Sequence, residues 1–310
     1  MSPYDQGART SSVSPCSPTL RARMLELQNP FPDESGVIRL LEPEESDRTQ
    51  LVTRVLSGTY DKPFVIEDGD SRALYFSRDL TQSAIRLSEP DALEFAYTRK
   101  MMSFLLFVHQ PRDILMLGLG GGSLAKYCHR HLPSSRITIV EIDPHIIAFR
   151  EQFLLPPDDA RLRVLLGDAA DYLRQCEEAA DVVMIDAFDR QGFSASVCSP
   201  AFYRDVRDVL SAKGVMVANL VGPKCERAMH LDRIADIFDG NIINFPIRDD
   251  GNYLVFAFRD AHFEPRWRWI EGQAKAMQKR FALDFPGFAS KLKRSRKDRY
   301  FQSALRQIEE

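Results

Sequence analysis

Two carboxylates three residues apart stand in Asp186-Ala187-Phe188-Asp189, just after the apolar burst Val182 to Ile185. Asp186 at a strand terminus and Asp189 in the loop beyond it can face one cation. Such a pair can hold an alkyl ammonium, aim its nitrogen and take up its proton. The run Gly118-Leu119-Gly120-Gly121-Gly122-Ser123 follows another apolar burst and precedes a helix-like segment. Glycines there let the backbone turn tightly and approach a ligand where a Cβ would clash. Glu141 ends the next burst, 23 residues beyond Gly118, and Asp168 follows the third in Gly167-Asp168. An acid at Glu141's place can accept hydrogen bonds from both hydroxyls of a ribose.

The ligand these groups suit is not a dinucleotide. The fingerprint G-x-G-x-x-G requires glycine at 123, where Ser123 stands. Acids at 141, 168 and 186 would repel a pyrophosphate but suit an adenine amino group and a cation. The expectation is a phosphate-free, positively charged adenosine, S-adenosylmethionine or decarboxylated S-adenosylmethionine, at the row formed by Gly118, Gly120, Gly122, Glu141, Asp168 and Asp186. Blander roles exist for each acid: Asp168 as the N-cap of a helix from Ala169, Glu141 as a surface residue, Asp186 as a strand-end cap and Asp189 as a solvated loop acid. No metal is expected. His129 and His131 lie two apart, which a helix places on different faces.

The elements that must position these residues alternate. Apolar bursts at Ile114 to Leu117, Ile137 to Val140, Leu162 to Leu166, Val182 to Ile185 and Val215 to Val221 are separated by helix-like segments from Leu124, Pro144, Ala169, Pro200 and Cys225. Strands apolar nearly throughout are buried on both faces, which predicts a doubly wound, mostly parallel α/β sheet. Ile242 to Ile247 and Tyr253 to Phe258 predict a closing antiparallel hairpin. A helix is expected after Pro90, with Leu93, Ala96, Tyr97, Met101, Phe104, Leu105 and Val108 on its apolar face. Upstream, Phe64 to Ile66 and Ala73 to Phe76 flank a turn at Glu67-Asp68-Gly69-Asp70, and Ser83 to Leu87 supplies a third strand. The resulting division is a loosely ordered segment over 1–57, a small β-module over 58–90, the sheet domain over 91–260 and a basic, mostly helical tail over 261–310.

Composition excludes whole classes. The 310 residues are 44% apolar and 27% charged, which excludes a collagen-like, disulfide-scaffold or wholly disordered chain. The net charge is −3, so no global positive field argues for nucleic acid as a partner. Six basic residues and one acid between Lys291 and Arg299 read as a solvated helix face or docking tail. The longest apolar run, Phe104 to Val108, falls far short of the roughly 20 residues a bilayer span needs. The first 24 residues have no hydrophobic centre, and five cysteines are scattered without CxxC spacing. A reduced, cytoplasmic protein is expected, without membrane association.

These motifs resemble the spermidine synthase (polyamine aminopropyltransferase) family, a branch of the class I S-adenosylmethionine-dependent methyltransferase fold. The resemblance runs from about Thr59 to Phe258. It is carried by Leu117 to Leu124, Val140-Glu141-Ile142-Asp143-Pro144, Gly167-Asp168-Ala169, Asp186-Ala187-Phe188-Asp189 and Pro200-Ala201-Phe202-Tyr203. It implies a Rossmann-like sheet of seven strands, Glu141 on the ribose and Asp168 at the adenine. It further implies Asp186 as proton acceptor, Asp189 at the acceptor amine, and an aminopropyl group moved from sulfonium to nitrogen. Family members are often dimers or tetramers, so the resemblance allows a homodimer.

Departures bear on which group moves. Polyamine enzymes read Gly-Gly-Gly-Asp-Gly, and the Asp that meets the donor's amine is replaced here by Gly121. Their Tyr-His-Glu corresponds to Tyr97-Thr98-Arg99, the Pro after the paired acids to Arg190, and the early Tyr-Gln to Tyr60-Asp61. Arg99 or Arg190 near the pocket would repel a diamine. The glycine run with Asn219-Leu220-Val221 also looks like the corresponding domain of certain protein N-terminal methyltransferases. Three functions follow: aminopropyl transfer to a putrescine-like amine, N-methyl transfer to a protein or small-molecule amine, or a non-catalytic nucleoside-binding module.

Overall fold

The computed structural model describes residues 14–15, 24–32, 34–78, 80–189, 192–193, 197–247 and 252–308, with side chains omitted at 14–15, 80, 188–189, 192–193, 246 and 297–308. A two-residue strand, Ser14–Pro15 (β1), precedes an antiparallel sheet of five strands in chain order. These are Leu25–Gln28 (β2), Val37–Leu40 (β3), Phe64–Asp68 (β4), Ser71–Ser77 (β5) and Leu80–Arg86 (β6), with helix Arg48–Leu56 (α1) between β3 and β4. Helix Ala96–Met101 (α2) then runs into a 3-10 turn, Met102–Leu106.

The main sheet contains Asp113–Leu117 (β7), Arg136–Glu141 (β8), Leu162–Leu166 (β9), Ala180–Ile185 (β10), Leu210–Leu220 (β13), Ile242–Pro246 (β14) and Tyr253–Phe258 (β15). A two-strand hairpin, Phe188–Asp189 (β11) with Gly192–Phe193 (β12), leaves the end of β10. Helices Ser123–His131 (α3), Pro144–Ala148 (α4), Ala169–Gln175 (α5), Pro200–Val209 (α6) and Lys224–Ile237 (α7) follow successive strands, and Trp267–Phe281 (α8) and Phe285–Ile308 (α9) close the chain. The strand order is β1-β9-β8-β7-β10-β13-β15-β14. The five strands β9-β8-β7-β10-β13 are parallel, and β15 and β14 close the sheet antiparallel. The expected seven strands are therefore present, with β1 added antiparallel on β9.

Buried faces explain the apolar bursts. One side of the sheet packs Ile114, Met116, Ile139, Met184, Val217 and Phe256 against α3, α8 and the 3-10 turn. The other packs Leu115, Val183, Ile185 and Met216 against Phe202, Val206 and Ile234 from α6 and α7. The antiparallel module docks through Val65, Leu74, Phe76 and Ile85, which meet Ile146, Phe149 and Phe153 after β8.

Three expectations differ. The segment over 1–57 is not loosely ordered throughout: β2, β3 and α1 belong to the module, because Leu25, Leu27, Ile38, Leu40, Leu51 and Val55 converge on Phe64 in one small core. The helix after Pro90 is short, and its continuation tightens into the 3-10 turn, where all five residues are buried. The basic stretch in α9 is not simply a solvated face. The Ser295 hydroxyl donates to the Asn244 carbonyl, and Arg296 donates to the Ile242 carbonyl and to Asn241 Oδ1, covering the edge strand β14.

Candidate active site

Parallel register lines up the carboxyl ends of five neighbouring strands. Across β9-β8-β7-β10-β13 the residues at or just past those ends are Asp168, Glu141, Gly118, Asp186 and Asn219. The Gly118 N–H donates to the Val140 carbonyl (2.9 Å), the Gly167 N–H to the Glu141 carbonyl (2.9 Å) and the Asp186 N–H to the Leu117 carbonyl (3.0 Å). With strands about 4.8 Å apart, Asp168 and Asp186 are separated by about 14 Å along the rim, the scale of a nucleoside. Successive strands are added to one side of β7 and then, from β10 on, to the other, so the glycine turn sits at the switch point where such sheets bind ligands.

Asp186 carries the most distinctive chemistry. Register places Ile185 beside Ala218, so the next residues, Asp186 and Asn219, are neighbours. Asn219 Nδ2 donates to Asp186 Oδ1 at 3.0 Å, and the Tyr97 hydroxyl on α2 donates to Oδ2 at 3.0 Å. Burial raises the Asp186 carboxyl from the ordinary carboxylate value to about 6, although both hydrogen bonds favour the anion. Gly118 has φ +101° and lies so close to the Asp186 carbonyl that a Cβ there would collide with backbone. The turn can therefore pass this carboxylate only as glycine.

Glu141 is 8% exposed and already employed. Its Oε2 accepts from the Leu119 N–H (2.8 Å) and its Oε1 from the Asp143 N–H (2.9 Å), tying the glycine turn to the loop after β8. Burial raises its pKa, and these backbone donors oppose the rise. Ile142, the next residue, is 55% exposed and offers an apolar surface at the rim. Asp168 is the N-cap of α5: its Oδ1 accepts from Ala170 N–H (2.7 Å) and Asp171 N–H (3.2 Å), so Oδ2 is not spent on the cap.

Beneath the turn lies a cavity of about 30 Å³ lined by Gly118, Gly120, Gly121 and Asp186, with Tyr97, Gln82, Ser83 and Ser123. The structure thus joins Gly118, Gly120 and Asp186 around one hollow. Gly122, Glu141 and Asp168 stand on the same rim outside that wall. The Asp189 side chain and all of Arg190 lie outside the described residues. Arg99 does not bring its charge to Asp186: its guanidinium donates to the Leu93 and Glu94 carbonyls, each at 2.6 Å. Among the described residues no cluster of three or more His, Cys, Asp or Glu is placed to hold a metal. None of the helices is long and apolar enough to cross a membrane, among the described residues.

Sequence reasoning did not assign Tyr97 and Asn219 to Asp186, nor Gln82, Ser83 and Ser123 to the cavity. A readable signal existed for Asn219, a polar residue near the end of an otherwise apolar strand. Gly121 is explained by the module. A Cβ there would lie 2.5 Å from Ser83 Oγ and 2.9 Å from the Phe153 ring, so β6 and the turn after α4 fill the side-chain space. Phe153 is itself held, since the buried Lys126 donates to its carbonyl at 2.6 Å.

Comparison with known proteins agrees with this architecture. The family model described as the spermine/spermidine synthase domain matches residues 94–235. A polyamine aminopropyltransferase of Chromobacterium violaceum is 32% identical over 232 residues, spanning 74% of this chain and 89% of that protein. A probable spermidine synthase from Corynebacterium glutamicum superposes with a TM-score of 0.59 at 20% identity, covering 70% of this chain and 85% of the other. Human methyltransferase-like protein 13, solved in complex with SAH, gives a TM-score of 0.56 at 23% identity, with 61% and 93% covered. At these identities the two structures establish a shared fold.

Proposed function

The chain belongs to the spermine/spermidine synthase family, and on that premise we propose that it is a transferase moving an aminopropyl group from decarboxylated S-adenosylmethionine to an amine acceptor, as in polyamine biosynthesis. The observation that carries this reading is Asp186: a desolvated carboxylate with a pKa of about 6, fixed by Tyr97 and Asn219 beside the glycine turn.

The chemistry requires such a group. An alkyl ammonium has a pKa of about 10.4, so only about 10⁻³·⁴ of it is nucleophilic at pH 7, a penalty of roughly 4.6 kcal/mol. Asp186 is mostly ionised at neutral pH, yet is a stronger proton acceptor than an ordinary carboxylate. It takes the proton from the acceptor ammonium. The freed nitrogen attacks the carbon next to the sulfonium, the N–C bond forms as the C–S bond breaks, and the electron pair remains on sulfur in neutral methylthioadenosine. Tyr97 and Asn219 are positioning residues for the carboxylate. Glu141 holds the ribose hydroxyls with the lone pairs its backbone bonds leave, Asp168 Oδ2 meets the adenine amino group, and Ile142 borders the ring. Gly118, Gly120 and Gly122 allow close approach, and Asp189 helps hold the acceptor amine, a putrescine-like diamine.

Gly121 favours a second reading, methyl transfer from S-adenosylmethionine to a protein or small-molecule amine, because an acid for the donor's amine is missing there. Mass spectrometry of products, with each donor incubated against a panel of amines, separates the two. Methylthioadenosine with an aminopropylated amine supports the proposal. S-adenosylhomocysteine with a methylated amine, and no aminopropyl product, refutes it.

A further inference from the structure

The net charge of −3 conceals a segregation. Between Arg266 and Ile308 stand twelve Lys or Arg and three acids, so this stretch carries +9 and the rest of the chain −12. Folded as α8 and α9, it forms a helical hairpin. Across the seam between the helices, Lys293 Nζ donates to Glu271 Oε1 and Oε2 at 2.8 and 3.0 Å. Only one other acid, Asp284, stands between Arg266 and Arg296. It lies in the turn joining the helices, where its Oδ1 accepts from the Gly287 N–H at 2.9 Å. Both acids of the described hairpin are thus engaged within it.

The fold turns the remaining cations outward. α8 buries Ile270, Ala274, Met277 and Phe281 in the core. Arg268, Lys275 and Lys279 stand seven and four residues apart, which places them within about 40° of one another on the opposite face, along roughly 16 Å of helix. α9 buries Phe285, Phe288, Ala289 and Leu292 and exposes Lys291 and Arg294. These five cations are exposed, and none has an ion pair among the described residues. Beside Arg268 the Trp269 indole is 49% exposed, with the His109 ring edge-on to it at a centroid distance of 4.6 Å.

Cations without counter-charges repel one another, and an indole left in water forgoes its burial. A partner that offsets both needs a row of anions and flat apolar groups. A single-stranded nucleic acid has phosphates for the cations and unpaired bases to stack on the indole. A duplex keeps its bases stacked on each other and offers Trp269 none. A bilayer surface is also anionic, but helices bind there by inserting an apolar face, and that of α8 is committed to the core. We propose that the outer face of the α8–α9 hairpin binds single-stranded nucleic acid without sequence preference. Arg268, Lys275, Lys279, Lys291 and Arg294 meet the phosphates, and Trp269 stacks on a base. The inference stands apart from the transfer reaction, since none of these residues lines the cavity.

Fluorescence anisotropy on the full chain tests it, with a labelled oligouridylate of about 20 nucleotides as probe. The unaltered chain is expected to bind with a dissociation constant on the order of micromolar at low salt, and log K should fall with log salt at a slope of about −3.5 for five phosphates. Combining Lys275→Gln, Lys279→Gln and Arg294→Gln should weaken binding about tenfold or more and flatten that slope by about two. Trp269→Ala should weaken it about fivefold or more and leave the slope in place. Circular dichroism and parental turnover of both variants establish that they fold. No binding by the unaltered chain, or parental affinity in the triple variant, overturns the proposal. Parental affinity in Trp269→Ala overturns the stacking and with it the choice of single strands. So does a duplex of the same length, polyglutamate or a phosphatidylglycerol vesicle bound as tightly as the oligouridylate. Absence of turnover in the unaltered chain bears on the transferase reading alone.

Discussion

Asp186→Asn is expected to make the protein more stable while removing most of its turnover. The Asp186 carboxyl has a pKa of about 6 in the folded protein, against an ordinary 3.8. The folded state therefore binds this proton more tightly than the unfolded chain. The stability contributed by the protonated form is fully present below about pH 3.8 and is lost as pH rises through about 6. Above that range the buried anion costs about two pKa units, or about 3 kcal/mol. Asparagine has the same shape and no charge. Its Oδ1 can accept from Asn219 Nδ2, and its Nδ2 can donate to the Tyr97 hydroxyl oxygen, so both native contacts have a substitute. Allowing for imperfect rewiring, the variant should gain about 1–3 kcal/mol at pH 8 and almost nothing near pH 4. Urea unfolding at several pH values, followed by circular dichroism, reads this as a midpoint difference that grows between pH 4 and 7 at constant slope. Turnover measured in parallel should fall by about a hundredfold or more. A variant less stable than its parent at pH 8, or a difference that ignores pH, refutes the claim that burial tensions this carboxylate.

Tyr97→Phe removes one donor to Asp186, so the acid limb of the pH–rate profile should move up by about one unit; an unmoved limb means the tyrosine does not tune the carboxylate. Glu141→Ala should weaken methylthioadenosine binding by about 1.5–3 kcal/mol, measured calorimetrically, and an unchanged dissociation constant would remove the ribose role. Asp168→Ser keeps a capping oxygen and Asp168→Ala does not, so only alanine should cost about 1 kcal/mol of stability, whereas both should weaken nucleoside binding. Nucleoside affinity preserved in the serine variant would reduce Asp168 to a cap. Gly121→Asp must displace Ser83 and Phe153 and should destabilise by about 1–3 kcal/mol in urea titrations; parental stability would show that this space is not filled.

The sheet was legible because its strands are apolar on both faces. Ile114 to Leu117 and Val182 to Ile185 leave no reading but burial from two sides, and a glycine turn, Glu141, Asp168 and Asp186 following such strands share a rim. The front of the chain was not legible for the opposite reason. β2 and β3 have four residues each, so Leu25 with Leu27 and Ile38 with Leu40 show a single alternation apiece, too little to register as pattern. The partners of Asp186 were hidden by distance along the chain. Tyr97 lies 89 positions away and Asn219 33, and only sheet order and the docking of α2 bring them together. Arg99 illustrates a different limit: its proximity to Tyr97 in sequence suggested a charge at the pocket, whereas nearby carbonyls capture the guanidinium.

Because Gln82 and Ser83 reach the glycine turn from β6, one wall of the hollow is supplied by the antiparallel sheet and not by the parallel one. A substitution in that front sheet, at its hairpins or where it meets Phe153, therefore reshapes the hollow while the parallel strands stay untouched.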